Sequence, residues 1–303
     1  MKLQKESSMM KNSLSKEELE NDALYATLKA LSGCVLSIGL KLYVVGATAR
    51  DIMMKLLDEY PSRRKTRDLD VAIALSDWSQ FDNLSEILQK NHFRKAPANQ
   101  KFYYEGEDHD NDYEVDIVPF GDIAGENETL VWPPEYELEM SVKCFTDVMD
   151  HSIAVSINNS FDVNIATLAG QFFIKLDSYM DRHTKNHKDA DDMFFILEKY
   201  YVSKVLDSDE IPDDVTLEGD KEIIWSSQWL ASEIKHILSD EHLADYSDMI
   251  KTELDKKTES DLIKDFIKLY GDEKDDAYDV SLSIWTNIYD ILNKEIEERN
   301  EDK

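Results

Sequence analysis

Two apolar, β-prone runs with embedded carboxylates constrain this chain more than any other feature. The first is Asp68-Leu69-Asp70-Val71-Ala72-Ile73-Ala74-Leu75; the second is Tyr113-Glu114-Val115-Asp116-Ile117-Val118-Pro119. In a strand, residues i and i+2 share a face, so Asp68 and Asp70 project side by side. Two acids that close repel unless a cation lies between them, and oxygen-only donors suit Mg²⁺ or Mn²⁺. Asp116 stands among hydrophobic neighbours, where an acid is costly unless it is paired or binds a metal. Asp68, Asp70 and Asp116 therefore read as a metal cradle built on two adjacent strands.

Asp-x-Asp by itself is common by chance in a chain with 64 acidic residues. The order of the surrounding elements is more specific. Upstream, Tyr43-Val44-Val45-Gly46-Ala47-Thr48-Ala49-Arg50-Asp51 reads as an apolar strand entering a glycine turn and then a helix. Glycine lets a backbone approach phosphate closely, and helix N-termini attract anions.

These residues resemble the nucleotidyltransferase superfamily related to DNA polymerase β, and within it the AbiEii-type and MenT-type toxin branch. The superfamily pattern is a strand, a Gly-Gly or Gly-Ser turn, Asp-x-Asp, and a third acid on a later strand. Here Gly46, Asp68 with Asp70, and Asp116 match it, with Ala47 where the family usually has Gly or Ser. Thr48 or the following N–H groups would take over the missing contact. The toxin branch adds a helical lysine, a basic residue and Lys/Arg-Asp-x-x-Asp. This chain has Lys175 in Phe172-Phe173-Ile174-Lys175-Leu176, then Arg182, then Lys188-Asp189-Ala190-Asp191-Asp192. Trp132-Pro133-Pro134 through Met140 also looks like a segment of bacterial members. The long interval before the acids, with the basic loop Arg63-Arg64-Lys65-Thr66-Arg67, and the Gly-x-x-x-Arg-Asp spacing are similar to tRNA nucleotidyltransferases. The resemblance covers roughly residues 25–200.

At 303 residues, with 42% hydrophobic and 10% aromatic content, the chain can bury a substantial core in two domains. No apolar run approaches the ~20 residues of a membrane span, and the polar N-terminus has no apolar segment of the secretory kind. Cys34 and Cys144 lie in mainly apolar surroundings without metal spacing, which reads as reduced thiols of a cytoplasmic protein. A net charge of −30 argues against generic nucleic-acid binding. The charge is uneven: residues 201–303 hold 29 acids against 12 bases, the first 200 residues 35 against 22. Local basic clusters remain at Arg63-Arg64-Lys65-Arg67, at Arg94-Lys95 with Lys101, and at Arg182 with Lys185 and Lys188. Each reads either as an RNA contact or as a solvated face.

Along the chain, residues 1–14 are expected to fray. Ser15-Lys16-Glu17-Glu18 reads as a capping box opening a helix through Leu31. Strand 41–45, helix 48–58, strand 69–75, helix 78–90 and strands 101–105 and 113–118 follow. Residues 121–140 read as irregular, 152–157 and 161–165 as short strands. Everything after 167 reads as helix, with breaks near 207–214, 240 and 271–272. The fold class is α+β: a nucleotidyltransferase-type mixed sheet with flanking helices over 1–165, then a helical domain over 166–303 completing a nucleotide cleft.

Lys175 and Arg182, seven apart, share a helix face, and the apolar flanks of Lys175 direct it toward a cleft, where a compact charge suits a triphosphate. Asp189 and Asp192 either anchor these cations or serve in acid–base chemistry. His183 and His187 lack a third metal ligand and read as surface residues.

The resemblance implies transfer of a nucleoside monophosphate from an NTP to an acceptor hydroxyl. Asp68, Asp70 and Asp116 would hold Mg²⁺ (or Mn²⁺), with Asp116 and Asp189 as further catalytic groups. Gly46, Ala47, Thr48, Arg50, Lys175, Arg182 and Asp192 would meet the nucleotide. The acceptor would be a tRNA or other RNA end, and the biology a toxin–antitoxin or phage-defence system with a protein antitoxin. Two other readings stay open: a nucleotidyltransferase acting on an aminoglycoside-type small molecule or a protein, and a non-enzymatic binding module.

Overall fold

The computed structural model describes residues 12–57, 68–106, 112–125, 127–134, 139–182, 187–206, 208, 210–217 and 221–301. The chain forms two compact units. One comprises 1–126, 130–138 and 152–167; the other comprises 127–129, 139–151 and 168–303.

The first unit is built on an eight-stranded mixed sheet. Its strands are β1 (Ser13–Leu14), β2 (Tyr43–Val44), β3 (Asp68–Ala74), β4 (Phe93–Lys95), β5 (Lys101–Tyr104), β6 (Tyr113–Phe120), β7 (Ile153–Ile157) and β8 (Phe161–Ile165). Their order across the sheet is β1-β7-β8-β2-β3-β6-β5-β4. The central pair, β3 and β6, runs parallel, and its register sets Leu69 beside Val115 and Val71 beside Ile117. These four residues and Ile73 are fully buried, so one face of the pair belongs to the core. Alternation places Asp68, Asp70, Glu114 and Asp116 together on the other face. The α+β class expected from sequence is the one observed.

The structure differs from the sequence reading at several elements. The helix expected from Ser15 onward is two helices. The capping box forms, with Glu18 N–H donating to Ser15 Oγ at 3.2 Å and Ser15 N–H to Glu18 Oε2 at 2.7 Å. That helix stops after Lys16–Leu19 because Glu20 turns left-handed (φ 56), and Asn21 caps a second helix, Asp22–Ser37. The helix expected at 48 begins at Gly46, directly after strand and N-cap. β4 was not anticipated: three residues show no period, and it forms because β5 supplies an antiparallel partner, Phe93 opposite Tyr104. Within 121–140, read as irregular, lie a 3₁₀ turn at Asp122–Ala124 and two short strands, Thr129–Val131 and Glu139–Ser141.

The second unit contains helices Leu168–Arg182, Lys188–Tyr200, Glu222–Ile234, Asp240–Lys256, Asp261–Tyr270 and Ala277–Glu301, together with the short helix Phe145–Asp150. Aromatic side chains fill its core: Phe266 packs on Trp285 (centroids 4.9 Å apart), and Phe173 meets Tyr246 edge-on at 5.1 Å. After Tyr200 the helix widens into a π turn, Tyr201–Val205, before the break expected near 207–214.

One polar clamp in this unit has a calculable pH signature. His242 Nδ1 donates to Asp147 Oδ2 at 2.7 Å, and Nε2 to Glu128 Oε2 at 2.5 Å. Both ring nitrogens face carboxylates, so the imidazolium form is held; bonding to Asp147 and Glu128 raises its pKa to about 10. The unfolded value is about 6.5. A raised folded pKa means the stabilisation is fully present below pH ~6.5 and is lost as pH climbs through 10. Denaturant titrations between pH 6 and 10 should show stability falling with pH. His242→Asn should be less stable at pH 6 and lack that slope; an unchanged slope would reject the clamp.

Candidate active site

The acidic face of β3 and β6 is the site most fully assembled by the first unit. Register sets Asp70 directly beside Asp116 and Asp68 beside Glu114. Neighbouring strands lie about 4.8 Å apart, so the sheet brings acids 46 residues apart in sequence onto adjoining positions.

The strand-to-helix turn presses against the same acids. Gly46 has φ +64, and a Cβ added there would lie 2.2 Å from Asp70 Oδ2. Val45 N–H donates to the Asp70 carbonyl at 3.0 Å, and Thr48 Oγ1 to the Asp68 carbonyl at 3.2 Å. The helix Gly46–Leu56 therefore starts on the Asp70 carboxylate, where its N-terminal partial positive charge favours an anion. Gly46 and Ala47 are partly exposed beside that carboxylate. Thr48 and Arg50 are buried, 2% and 4% exposed; Arg50 Nε lies 3.5 Å from Asp51 Oδ1. The threonine hydroxyl thus braces β3.

Asp116 sits in a partly buried setting. Its Oδ1 is buried and accepts no hydrogen bond among the described residues. Burial pushes its carboxyl pKa up, Lys101 pulls it down, and Glu114 and Asp68 add to the rise. Lys101 Nζ bonds Glu114 and stands 3.8 Å from Asp116 Oδ2. Tyr113 also feels this charge: burial and then Asp68 push its hydroxyl up to about 12.

Among the described residues no three Asp, Glu, His or Cys side chains gather closely enough to enclose a metal ion. The donor set nevertheless suits a hard divalent cation: all oxygen, on one face, with one buried carboxylate oxygen that no described residue donates to.

In the second unit Lys175 bridges Asp189 Oδ1 and Asp192 Oδ2, both at 3.0 Å. Burial lowers the ammonium pKa, but Asp192 and Asp189 outweigh it, and the group stays above its ordinary value. Of the two roles open to Asp189 and Asp192, the structure displays the anchoring of Lys175. Arg182 ends the same helix as Lys175. His187, read as a surface residue, is largely exposed yet donates to Asp265 at 2.7 Å.

Of the basic clusters, Arg63-Arg64-Lys65-Arg67 falls outside the described residues, as does Lys185 of the cluster with Arg182 and Lys188; Lys188 opens the helix Lys188–Tyr200. Arg94 is bonded to Glu105 at 2.6 Å and to Asp112, so its charge is spent locally. Sequence reasoning missed Lys101 and Glu114 as parts of this face. The pairing of β5 with β6, which sets Lys101 opposite Asp116, was the signal that would have found them.

No protein-family model matches the chain, and no curated protein matches it. Among solved structures the chain is similar to the Elizabethkingia meningoseptica CdnE cyclic dinucleotide synthase with GTP and Apcpp, at 10% identity and TM-score 0.29, covering 94% of both chains. It is similar to an H. pylori protein described as a candidate nucleotidyltransferase, at 14% identity and TM-score 0.34, covering 94% of this chain and 98% of that one. It is also similar to a CCA-adding enzyme with CTP, at 11% identity and TM-score 0.31, covering 91% and 71%. With TM-scores below 0.5, these resemblances carry neither a family assignment nor an activity.

Two stability outcomes follow from this geometry. Gly46→Ala should cost at least about 1 kcal/mol, because alanine disfavours φ +64 and its Cβ must displace Asp70; denaturant midpoints measure this, and a neutral substitution would rule out the close approach. Lys175→Ala should cost about 3 kcal/mol by leaving buried Asp189 without its cation, and Lys175→Ala with Asp189→Asn should recover part of the loss.

Proposed function

We propose that this protein is a metal-dependent nucleotidyltransferase that moves a nucleoside monophosphate from an NTP to an acceptor hydroxyl. The observation that carries the reading is the registered pair Asp70 and Asp116, with Asp68 on the same face and Gly46 packed against Asp70.

Asp68, Asp70 and Asp116 would hold Mg²⁺ or Mn²⁺, which when bound would neutralise the triphosphate and favour in-line displacement. Gly46, Ala47 and the first N–H groups of the helix would receive phosphate oxygens, with Thr48 bracing Asp68 from behind and Arg50 adding positive charge. The acceptor oxygen attacks the α-phosphorus, its proton passes to the Asp116 carboxylate, and the bond to pyrophosphate breaks. A carboxylate made more basic by burial suits that proton transfer. Lys175, with Arg182 and Asp192, is assigned to the nucleotide by resemblance alone.

The resemblance to the toxin branch supports an RNA end as acceptor, tRNA foremost, and a toxin–antitoxin or phage-defence role with a protein antitoxin. A second reading has its own support: the spent charges of Arg94 and Lys101 and the net charge of −30 favour a small cationic acceptor of the aminoglycoside type.

The test is incubation with each α-labelled NTP, Mg²⁺ and either total RNA or an aminoglycoside mixture. Label should move to one acceptor class. Asp68→Asn and Asp70→Asn should each reduce transfer by at least about a hundredfold while retaining the wild-type circular-dichroism spectrum. Transfer that survives both substitutions would reject the assignment.

A further inference from the structure

The acidic face carries an internal cation. Antiparallel pairing of β5 with β6 sets Lys101 opposite Asp116 and Tyr103 opposite Glu114. Lys101 is the only basic residue in β3, β5 and β6, and register places it on the same face as Asp68, Asp70, Glu114 and Asp116. Its ammonium bonds Glu114 and stands 3.8 Å from Asp116 Oδ2, while Asp116 Oδ1 has no donor among the described residues.

We infer that Lys101 is a positioning residue whose ammonium competes with the divalent ion for Asp116. The inference rests on the proposed metal-binding role of this face. Carboxylates on adjoining strands repel one another, and a lysine from the next strand supplies Glu114 and Asp116 with a counter-charge. A divalent ion arriving at Asp116 meets that like charge at close range. The site is therefore weaker for a bare ion than its acids alone would make it. Glu114, which carries no metal role here, binds the ammonium and so decides how strongly it competes.

A merely structural lysine predicts the opposite sign. If Lys101 only ties β5 to β6, its removal loosens the sheet and weakens any ion site there. If it competes, its removal strengthens the site.

The experiment is Mn²⁺ binding followed by the free-ion electron paramagnetic resonance signal, on the full chain without nucleotide. Lys101→Met should bind Mn²⁺ about tenfold more tightly than wild type, the scale expected for removing one nearby charge in a partly solvated site. Lys101→Arg, which keeps the charge, should stay within about twofold of wild type. Lys101→Gln serves as the second neutral variant should methionine prevent folding. Wild-type binding that Asp70→Asn abolishes, with equal or weaker binding in both neutral variants, overturns the inference and leaves the metal reading intact. Absence of Mn²⁺ binding in wild type and both neutral variants overturns both.

Discussion

The parallel pairing of Asp68–Ala74 with Tyr113–Phe120 does two jobs that cannot be separated. It buries Leu69, Val71, Val115 and Ile117 as a continuous apolar layer, and the same register gathers Asp68, Asp70, Glu114 and Asp116 on the opposite face. A slip of one residue on either strand would turn its acids into the core and expose its apolar set. Burial of the apolar face thus holds the acids together against their mutual repulsion. The charged site is carried by the hydrophobic core behind it.

That repulsion is met by local devices. The helix starting at Gly46 points its N-terminus at Asp70, and only the lack of a side chain at residue 46 lets the turn come so near. Thr48 and Val45 tie the turn to the β3 backbone, so the acids sit on a braced element. Lys101 supplies Glu114 and Asp116 with a counter-charge from β5. Among the described residues Asp116 is still incompletely satisfied, with a buried oxygen lacking a donor, and such groups concentrate where a protein binds or reacts.

The second unit solves a related problem differently. With a surplus of acids over bases, its cations are shared: Lys175 between Asp189 and Asp192, Lys235 between Asp214 and Glu295, Arg299 between Asp240 and Glu295. Each arrangement surrounds one cation with two carboxylates, which keeps buried charge paired and leaves net negative charge outward. Lys175 illustrates the limit of reading one residue at a time. Its apolar flanks direct it inward, yet what it meets there is a pair of acids from the next helix.

The α+β class, the strand–glycine–helix turn, the two acid-bearing strands and the helical second half were legible because they rest on local rules. Alternation in strands, capping by Ser15, and glycine before a helix each act within a few residues. β4 and the short strands after residue 128 were not legible, since their hydrogen-bond partners come from beyond the segment itself; the left-handed turn at Glu20 has no sequence signal of its own. The sequence by itself determined which residues could form an acidic site. Only the tertiary structure decided that Asp116 lies beside Asp70, that Lys101 stands opposite Asp116, and that Lys175 is already paired. Charge acts through space, and the chain order that lists these residues holds no measure of the distance between them.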